Sequence, residues 1–245
     1  MTVEKELQVA IVTGGSKGIG RAICTELCQS GYYIVINYMS DKDGAQETLA
    51  QVESLGGQGE ICHFDVRDGQ AVERIIDDIA ERLGSIDVLI NNAGIIADGL
   101  FMMMPPENWQ SVIDTSLNGF YNMSRPVIEK MVRRRKGSIV SISSASSLMA
   151  NRGQANYAAA KAGLNAASRS VASEVARLGI RVNVVAPGLI ETEMIEEAPK
   201  AHIKSIIPMA RIGAPSEVAQ VVDFLCSDKA SYVTGQVISV NGGMF

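Results

Sequence analysis

Apolar residues follow two alternating patterns along this chain. Short β-rich apolar runs predict seven strands, at residues 8–13, 33–38, 59–64, 86–91, 137–143, 180–187 and 235–241. Between the runs, apolar residues recur at the three- and four-residue spacing of an amphipathic helix, as in Val72, Ile75, Ile76, Ile79 and Leu83. Strands and helices are therefore predicted to alternate throughout.

Strands that are apolar on both faces are typical of a parallel sheet covered by helices on both sides. Right-handed crossovers join the strands of such a sheet. No long linker, repeat or low-complexity tract interrupts the pattern, and 245 residues suit one domain of this kind. We predict an α/β fold: a single Rossmann-like domain over residues 1–245, with a doubly wound parallel seven-stranded sheet and helices on both faces.

Composition excludes some classes of partner. The net charge of −5 and the isoelectric point near 5.2 leave no basic surface of the kind that binds nucleic acid. No apolar stretch is long enough to cross a bilayer, and the first residues, MTVEKELQ, lack the pattern of a signal peptide. We therefore predict a cytoplasmic protein with no nucleic-acid or membrane partner.

The four cysteines are predicted to be reduced thiols, because no secretory signal accompanies them. Cys24 and Cys28 share a helix face, and His63 follows Cys62, which is compatible with a metal site. A free cysteine is, however, commonly a small buried hydrophobic residue. We predict no metal.

The first strand runs directly into TGGSKGIG, residues 13–20, which opens a helix. Gly14, Gly18 and Gly20 have no Cβ, so the backbone can turn tightly and let a pyrophosphate approach the helix amides, where the helix dipole favours negative charge. A glycine cluster in this position indicates a dinucleotide site, although the spacing is G-x-x-x-G-x-G rather than G-x-G-x-x-G.

The end of the second strand bears on the choice of cofactor. An acidic side chain there binds a free ribose 2′-hydroxyl, whereas a 2′-phosphate needs a cation and no nearby carboxylate. This chain has Asn37 and Tyr38 at the strand end and Lys17 in the glycine loop. We predict NADPH/NADP+; the alternative is that Asp41 binds the ribose and Lys17 is only a solvated charge.

Tyr157 and Lys161 lie four residues apart in QANYAAAKAG, on one face of a predicted helix. An ammonium beside a phenol favours the phenolate and so lowers the pKa of the phenol. Most Tyr-x-x-x-Lys pairs are surface contacts, but this helix is covered with small residues, which predicts burial on several sides. A buried ammonium requires a partner or a function.

A serine hydroxyl would complete such a site by donating a hydrogen bond to a carbonyl oxygen as negative charge develops on it. Ser143 and Ser144 end the fifth strand, and ligands of open parallel sheets bind beyond the carboxyl ends of the strands. Either serine is in range. Ser146 and Ser147 are assigned to turn and capping roles.

Together these motifs resemble those of the short-chain dehydrogenase/reductase family. TGGSKGIG (13–20), NNAG (91–94), a serine thirteen residues before Tyr157, YAAAK (157–161), APG with IETEM (186–194) and VNGGM (240–244) span nearly the whole chain. Within the family, the sequence is similar to the 3-oxoacyl-[acyl carrier protein] reductases of bacterial fatty-acid synthesis.

The resemblance implies roles for individual residues. Ser144 orients the substrate carbonyl, Tyr157 delivers the proton, and Lys161 lowers the pKa of Tyr157 and holds the nicotinamide ribose. Asp65 lies near the adenine, and Ile190 and Thr192 lie near the nicotinamide and the phosphates. With the residues named above, the implied cofactor contacts are Ser16, Ile19, Asp65, Val66, Asn91, Ala93, Gly94, Pro187, Gly188, Ile190 and Thr192.

One position departs from the family pattern. Where the family has an asparagine that holds a water leading protons to the lysine, this chain has Ser116, in the sequence DTSLN. Asn118 is two residues away and points to another face. Three readings are open: Ser116 holds the same water, a displaced water serves with slower turnover, or the protein is a reduced-activity relative; the first two are preferred.

The substrate and assembly are also predicted by resemblance. The substrate is a 3-oxoacyl thioester of acyl carrier protein or CoA, which an apolar lid at 188–212 and the methionines at 102–104 and 149 would accommodate. Of the basic run at 133–136, Arg135 matches a residue that docks the carrier protein, whereas the second docking arginine is replaced by Leu178, beside Arg177. The resemblance implies a homotetramer built on the Tyr157 helix, the preceding long helix and the last strand.

Two other functions remain open. The same site would serve a dehydrogenase of a free alcohol, sugar or ketone. Ser116 alone suggests a weakly active, cofactor-binding subunit of a mixed assembly.

Overall fold

The computed structural model of the chain describes residues 7–192 and 206–245. The strands are β1 (Gln8–Val12), β2 (Tyr32–Tyr38), β3 (Gln58–His63), β4 (Val88–Asn91), β5 (Gly137–Ile142), β6 (Ile180–Pro187) and β7 (Val237–Val240). The α-helices of this part of the chain are α1 (Gly18–Gln29), α2 (Lys42–Ser54), α3 (Gly69–Leu83), α4 (Pro106–Ile113), α5 (Gly119–Arg134), α6 (Ala155–Val175) and α7 (Pro215–Cys226). A π-helical turn, Asp114–Asn118, joins α4 to α5.

The seven strands form one parallel sheet in the order β3-β2-β1-β4-β5-β6-β7. This confirms the predicted α/β fold, and every predicted strand is present within two residues of its predicted ends. The chain moves outward from β1 to β3 and then returns to place β4 beside β1. At such a reversal, the loops beyond the carboxyl ends of neighbouring strands part and leave a crevice for a ligand.

Each face of the sheet packs against its own helices, which explains why the strands are apolar throughout. Val12 and Ile90 face the layer that contains Leu27 of α1 and Val222 of α7. Their neighbours in sequence, Ile11 and Leu89, face the opposite layer with residues of α3, α5 and α6. Alternate side chains of a strand point to opposite faces, so a strand in the middle of three layers is buried on both sides.

Two features of the described residues bear on function. Among residues 7–192 and 206–245, no helix is long and apolar enough to cross a membrane. In the same part of the chain, no group of three or more His, Cys, Asp or Glu side chains is placed to hold a metal ion.

Cys24, Cys28 and Cys226 are buried in the core, where burial raises the pKa of each thiol.

Candidate active site

The loop between β1 and α1 has a conformation that requires glycine. Gly14 and Gly18 have φ angles of 63° and 55°, in the left-handed region that other residues rarely adopt. A Cβ on Gly20 would collide with the carbonyl oxygen of Gly14, so the first turn of α1 lies directly against the loop. The glycines therefore allow the tight turn that brings the loop against the start of α1.

The N-terminus of α1 also fits a pyrophosphate. Lys17 occupies the N-cap position with an extended backbone, and its side chain makes no capping hydrogen bond in the described structure. The first amides of a helix have no partner within the helix, and the helix dipole gives them partial positive charge. This end of α1 therefore offers free donors at the switch point of the sheet, which is the arrangement that binds dinucleotide phosphates.

Asn92 holds the glycine loop in place. Its side-chain amide donates to the carbonyl oxygens of Thr13 and Gly14, both at 2.9 Å. The hydroxyl of Thr13 in turn accepts from the backbone amides of Asn92 and Ala93, at 2.9 and 3.0 Å. Sequence reasoning assigned Asn91 and Ala93 to the groove but not Asn92, because the pattern NNAG does not show that its second asparagine braces a loop far away in the chain.

The end of β2 has few free polar groups. Asn37 is 2% exposed; its amide oxygen accepts from Gly14 N at 3.2 Å, and its amide nitrogen donates to Phe64 O at 2.9 Å. Asn37 therefore lies beneath the glycine loop as a brace, and Tyr38 is buried with its ring against that of His63. The carboxylate of Asp41 accepts from Gly44 N at 3.0 Å and caps α2, while Lys17 is exposed on the loop.

The other predicted cofactor residues also lie at the carboxyl edge of the sheet. Asp65 follows β3 and forms a bidentate pair with Arg67. The pKa of the Asp65 carboxyl is lowered, mainly by the side-chain hydrogen bonds from Arg67. Thr192, beyond β6, comes within 3.3 Å of the position that a Cβ on Gly18 would occupy. The edge also contains Gly14, Ser16, Lys17, Gly18, Ile19, Gly20, Val66, Asn91, Ala93, Gly94, Pro187, Gly188 and Ile190.

Tyr157 and Lys161 converge in the first turns of α6. Lys161 is 3% exposed, and its ammonium lies 5.6 Å from the centre of the Tyr157 ring. The ammonium donates to the carbonyl oxygen of Ile142, at the end of β5, at 2.8 Å. Asn156 fixes this end of α6, because its amide oxygen accepts from Tyr157 N at 2.8 Å and its amide nitrogen donates to Ala97 O at 2.8 Å.

Burial dominates the acid–base properties of this pair. It lowers the pKa of Lys161 to about 8 and raises the pKa of Tyr157 above its ordinary value. A hydrogen bond with Ser144 lowers the pKa of Tyr157, and the carboxylate of Asp98 raises it. Because burial outweighs the other causes, the phenol stays protonated at neutral pH, as a proton donor must; that Lys161 lowers the pKa of Tyr157 stays a prediction.

The structure distinguishes Ser144, the serine that the resemblance implies, from Ser143. Ser143 is 3% exposed, and its hydroxyl lies against Ser147 Oγ at 3.1 Å and Lys161 O at 3.2 Å, away from the groove. Ser144 is extended and half-buried; its Oγ accepts from Ser146 N at 3.1 Å, and its hydroxyl is hydrogen-bonded with Tyr157. Ser144 and Tyr157 can thus donate to one substrate oxygen.

Ser116 lies in the π-helical turn and faces Lys161. A Cβ placed on Gly94 would be 3.5 Å from Ser116 Oγ and 3.3 Å from Lys161 Nζ, so both polar atoms face the same small space. Ser116 is 4% exposed, and its hydroxyl has no hydrogen-bond partner within the described chain. Such a buried hydroxyl is suited to an internal water. Asn118 instead donates to Asp114 Oδ1 at 2.6 Å, on an exposed surface.

We expect Ser116→Asn to keep or raise the rate of carbonyl reduction. An amide at this position reaches the same space and offers both a donor and an acceptor to a water beside Lys161. The measurement is steady-state turnover of the variant against the wild type. A collapse of activity in a variant that still folds and binds cofactor would refute the assignment of Ser116 to a proton relay.

The predicted substrate-binding features are only partly described. Residues 193–205, the greater part of the predicted lid, lie outside the described residues, whereas Ile207 is buried and Met209 is exposed. The methionines at 102 and 103 are exposed on a short helix, Phe101–Met103, and Gly99 N donates to Gly153 O at 2.9 Å just ahead of it. This apolar segment therefore lies close to the start of α6.

Arg135 and Arg177 lie together, but far from Tyr157 in the same chain. The guanidinium of Arg135 donates to the carbonyl oxygen of Arg177 at 2.7 Å. Both residues follow the C-terminal ends of their helices and precede β5 and β6, so they lie at the amino edge of the sheet, opposite the catalytic edge.

Comparisons with known proteins agree with this geometry. A family model described as "Enoyl-(Acyl carrier protein) reductase" matches residues 14–245. The chain is 44% identical over 243 residues to 3-oxoacyl-[acyl-carrier-protein] reductase FabG of Escherichia coli strain K12, covering 98% of each chain. It is 41% identical over 244 residues to the protein of that name from Staphylococcus aureus strain Mu50, covering 98% of this chain and 99% of that protein. The chain therefore belongs to the short-chain dehydrogenase/reductase family.

Proposed function

We propose that this protein is an NADPH-dependent oxidoreductase that reduces a 3-oxoacyl thioester, linked to acyl carrier protein or CoA, to the 3-hydroxyacyl thioester. One observation carries the proposal: the hydroxyls of Ser144 and Tyr157 are hydrogen-bonded to each other, beside the buried Lys161 ammonium, at the carboxyl edge of the sheet. Relatives that match nearly the whole chain are named for this reaction.

The residues divide the chemistry between them. When bound, the nicotinamide supplies the hydride that reduces the β-carbon. Ser144 and Tyr157 donate hydrogen bonds to the ketone oxygen, where negative charge develops. Tyr157 then releases its proton to that oxygen, and the Lys161 ammonium stabilises the phenolate that remains. The raised pKa of Tyr157 suits this direction, because the free enzyme holds the proton that the reaction consumes.

Two donors that meet at one oxygen favour reduction of a carbonyl over reduction of a carbon–carbon double bond. The description of the family model names an enoyl reductase, whereas the full-length relatives are named 3-oxoacyl reductases. We therefore expect crotonyl thioester to be a poor substrate and acetoacetyl thioester a good one.

The end of β2 supports NADPH over NADH. The carboxylate of Asp41 already caps α2, and the described residues place no other acidic side chain at Tyr38 and the two positions after it. Lys17 is exposed on the glycine loop, next to the end of β2. A basic side chain on this loop, with no acidic side chain at residues 38–40, is the arrangement that selects a 2′-phosphate.

Lys17→Ala will therefore weaken NADPH binding by about tenfold, the value of one charge-assisted hydrogen bond at an exposed site, and leave NADH binding nearly unchanged. Fluorescence titration with both cofactors measures the two dissociation constants. The matched control is Lys229→Ala, at the opposite edge of the sheet. Equal losses for both cofactors would contradict a role for Lys17 in recognising the 2′-phosphate.

The carrier protein and the homotetramer are linked in this proposal. Arg135 and Arg177 lie at the far end of α6 from Tyr157, and 21 helical residues span about 30 Å. The outer face of α6 exposes Ala159, Ala162 and Ala166, small residues that permit close packing against a second copy of α6. Antiparallel packing would place the arginines of one protomer near the catalytic end of the other, where an acidic carrier would dock.

The discriminating experiment is turnover by the purified chain. NADPH oxidation with acetoacetyl thioesters of carrier protein and of CoA supports the proposal, and a light-scattering mass of four chains supports the assembly. Oxidation with free ketones alone would instead indicate a small-molecule dehydrogenase. Cofactor binding without turnover of either substrate would indicate the weakly active subunit, for which Ser116 is the only structural argument.

A further inference from the structure

A buried hydrogen-bond network connects the serine turn to the catalytic helix. The turn, Ala145–Ser147, directly follows Ser144. Ser147 Oγ donates to the carbonyl oxygen of Ser144 at 2.6 Å and accepts from the side-chain amide of Asn165 at 2.9 Å. Asn165 lies on α6, one turn after Lys161 and on the same buried face.

The hydroxyl proton of Ser147 can be placed, whereas the single proton of Ser143 is shared between two acceptors. Ser147 has a single hydroxyl proton, which the short contact with the Ser144 carbonyl takes. The lone pairs of Ser147 Oγ therefore face two donors, the amide of Asn165 and the hydroxyl of Ser143 at 3.1 Å. Ser143 also lies 3.2 Å from the carbonyl oxygen of Lys161. The turn is thus held to α6 through side chains as well as through packing.

This network fixes the backbone from which Ser144 extends. The Ser144 carbonyl also accepts from Ser147 N at 3.0 Å, so Ser147 holds it through two groups. The hydroxyl of Ser144 accepts from Ser146 N, in the same turn. Since α6 carries both Tyr157 and Lys161, Asn165 connects the third polar group of the site to the helix that carries the other two.

Asn165 occupies a position that an apolar residue would fill at lower cost. It is 5% exposed, and its amide oxygen has no hydrogen-bond partner within the described chain. A buried carbonyl oxygen without a partner is destabilising, whereas an apolar side chain of similar volume is not. The amide therefore has a role other than stabilising α6.

We propose that Asn165 and Ser147 are positioning residues that set Ser144 against Tyr157. This inference rests on the proposed function, because it concerns the alignment of two donors toward one carbonyl oxygen. Their side-chain hydrogen bonds run to each other, to Ser143 and to Ser144. The network acts on the geometry of Ser144, and displacements well below an ångström are sufficient to change a rate.

The test compares Asn165→Leu and Ser147→Ala with the wild type. Each variant will lower kcat by about tenfold, with the KM for NADPH unchanged, because misalignment acts at the reacting oxygen and not in the cofactor groove. Asn165→Leu will unfold at the same or a higher denaturant concentration, since it removes the unpartnered oxygen. Ser147→Thr, which keeps the hydroxyl, will retain most of the activity.

Ser168→Ala is the matched control. Ser168 is a buried polar residue on the same face of α6, its hydroxyl also has no partner in the described structure, and it lies farther along the helix from Lys161. It should not affect kcat. The double variant Asn165→Leu/Ser147→Ala should be no slower than Ser147→Ala alone, because both changes break one connection. Equal loss in Ser168→Ala, additive losses, or wild-type kcat in both single variants would overturn the proposal.

Hydrogen–deuterium exchange separates this inference from the proposed function. The amides of Ser146 and Ser147 donate within the serine turn, so their protection reports its order without any substrate. Both single variants should exchange faster at these amides, and Ser168→Ala should not. If the wild type reduces no carbonyl, the proposed function fails and exchange alone decides the inference; unchanged protection in Asn165→Leu and Ser147→Ala would overturn it.

Discussion

Tyr157→Phe will reduce the rate of carbonyl reduction by about 10² to 10⁴, the range associated with loss of a positioned proton donor. Phenylalanine keeps the ring against which the Lys161 ammonium packs at 5.6 Å, and removes only the hydroxyl that carries the proton. Cofactor binding should therefore persist. The measurement is single-turnover oxidation of NADPH with acetoacetyl thioester, together with a fluorescence titration of the cofactor.

Tyr121→Phe is the control for this substitution. Tyr121 is 61% exposed on α5 and lies outside the catalytic cluster, so loss of its hydroxyl should not change the rate. A Tyr157→Phe variant that folds, binds NADPH and reduces the thioester at the wild-type rate would end the assignment of Tyr157 as the proton donor, and with it the carbonyl-reductase proposal.

Lys161→Met will also reduce the rate, by about a hundredfold to a thousandfold, because it removes the cation that stabilises the phenolate. The pH dependence should change as well. Burial lowers the pKa of Lys161 to about 8, so in the free wild-type enzyme the ammonium is lost as pH rises through that value. The kcat/KM for NADPH, which reports groups of the free enzyme, should therefore fall above about pH 8 in the wild type and not in the variant.

Lys161→Met should also change how the free energy of unfolding depends on pH. The folded state binds the Lys161 proton less tightly than the unfolded state, whose lysine keeps its ordinary pKa of 10.5. The unfolded state thus holds more protons between about pH 8 and 10.5, and the wild type gains stability relative to Lys161→Met as pH rises through this window. Urea unfolding of both proteins at pH 7 and at pH 10 tests the sign. A relative loss of wild-type stability at the higher pH would contradict a lysine that is destabilised by burial.

The prediction from sequence was most successful for the elements with the strongest patterns. The strand at 180–187 was predicted with both ends correct, because glycine precedes it, proline ends it, and only Arg181 and Asn183 interrupt its apolar residues. The strand at 235–241 was predicted too long, since only Val237–Val240 pairs with β6 at the edge of the sheet. The π-helical turn around Ser116 gives no periodic signal, so the sequence does not indicate it.

The candidate site shows the same division. Tyr157, Lys161 and the glycine loop could be predicted because each depends on local spacing along one helix or one turn. The roles of Asn92 and Asn165 could not be predicted, because their hydrogen bonds join distant parts of the chain. Asn92 bonds to residues 78 and 79 positions away, and Asn165 bonds to a residue 18 positions away. From position alone Ser143 and Ser144 are equivalent, since both end the same strand, and only the family resemblance points to Ser144.

The amino-acid sequence by itself determined the parallel sheet, the groove at its carboxyl edge and the identity of the polar groups gathered there. These follow from periodicity and from residue chemistry, which act over a few neighbouring positions. Only the tertiary structure decided that burial raises the pKa of Tyr157, that the Ser143 hydroxyl lies against Ser147 and Lys161, and that Asn37 and Asp41 are engaged within the protein. Desolvation and hydrogen-bond partners are set by segments distant in the chain, and no local pattern contains them.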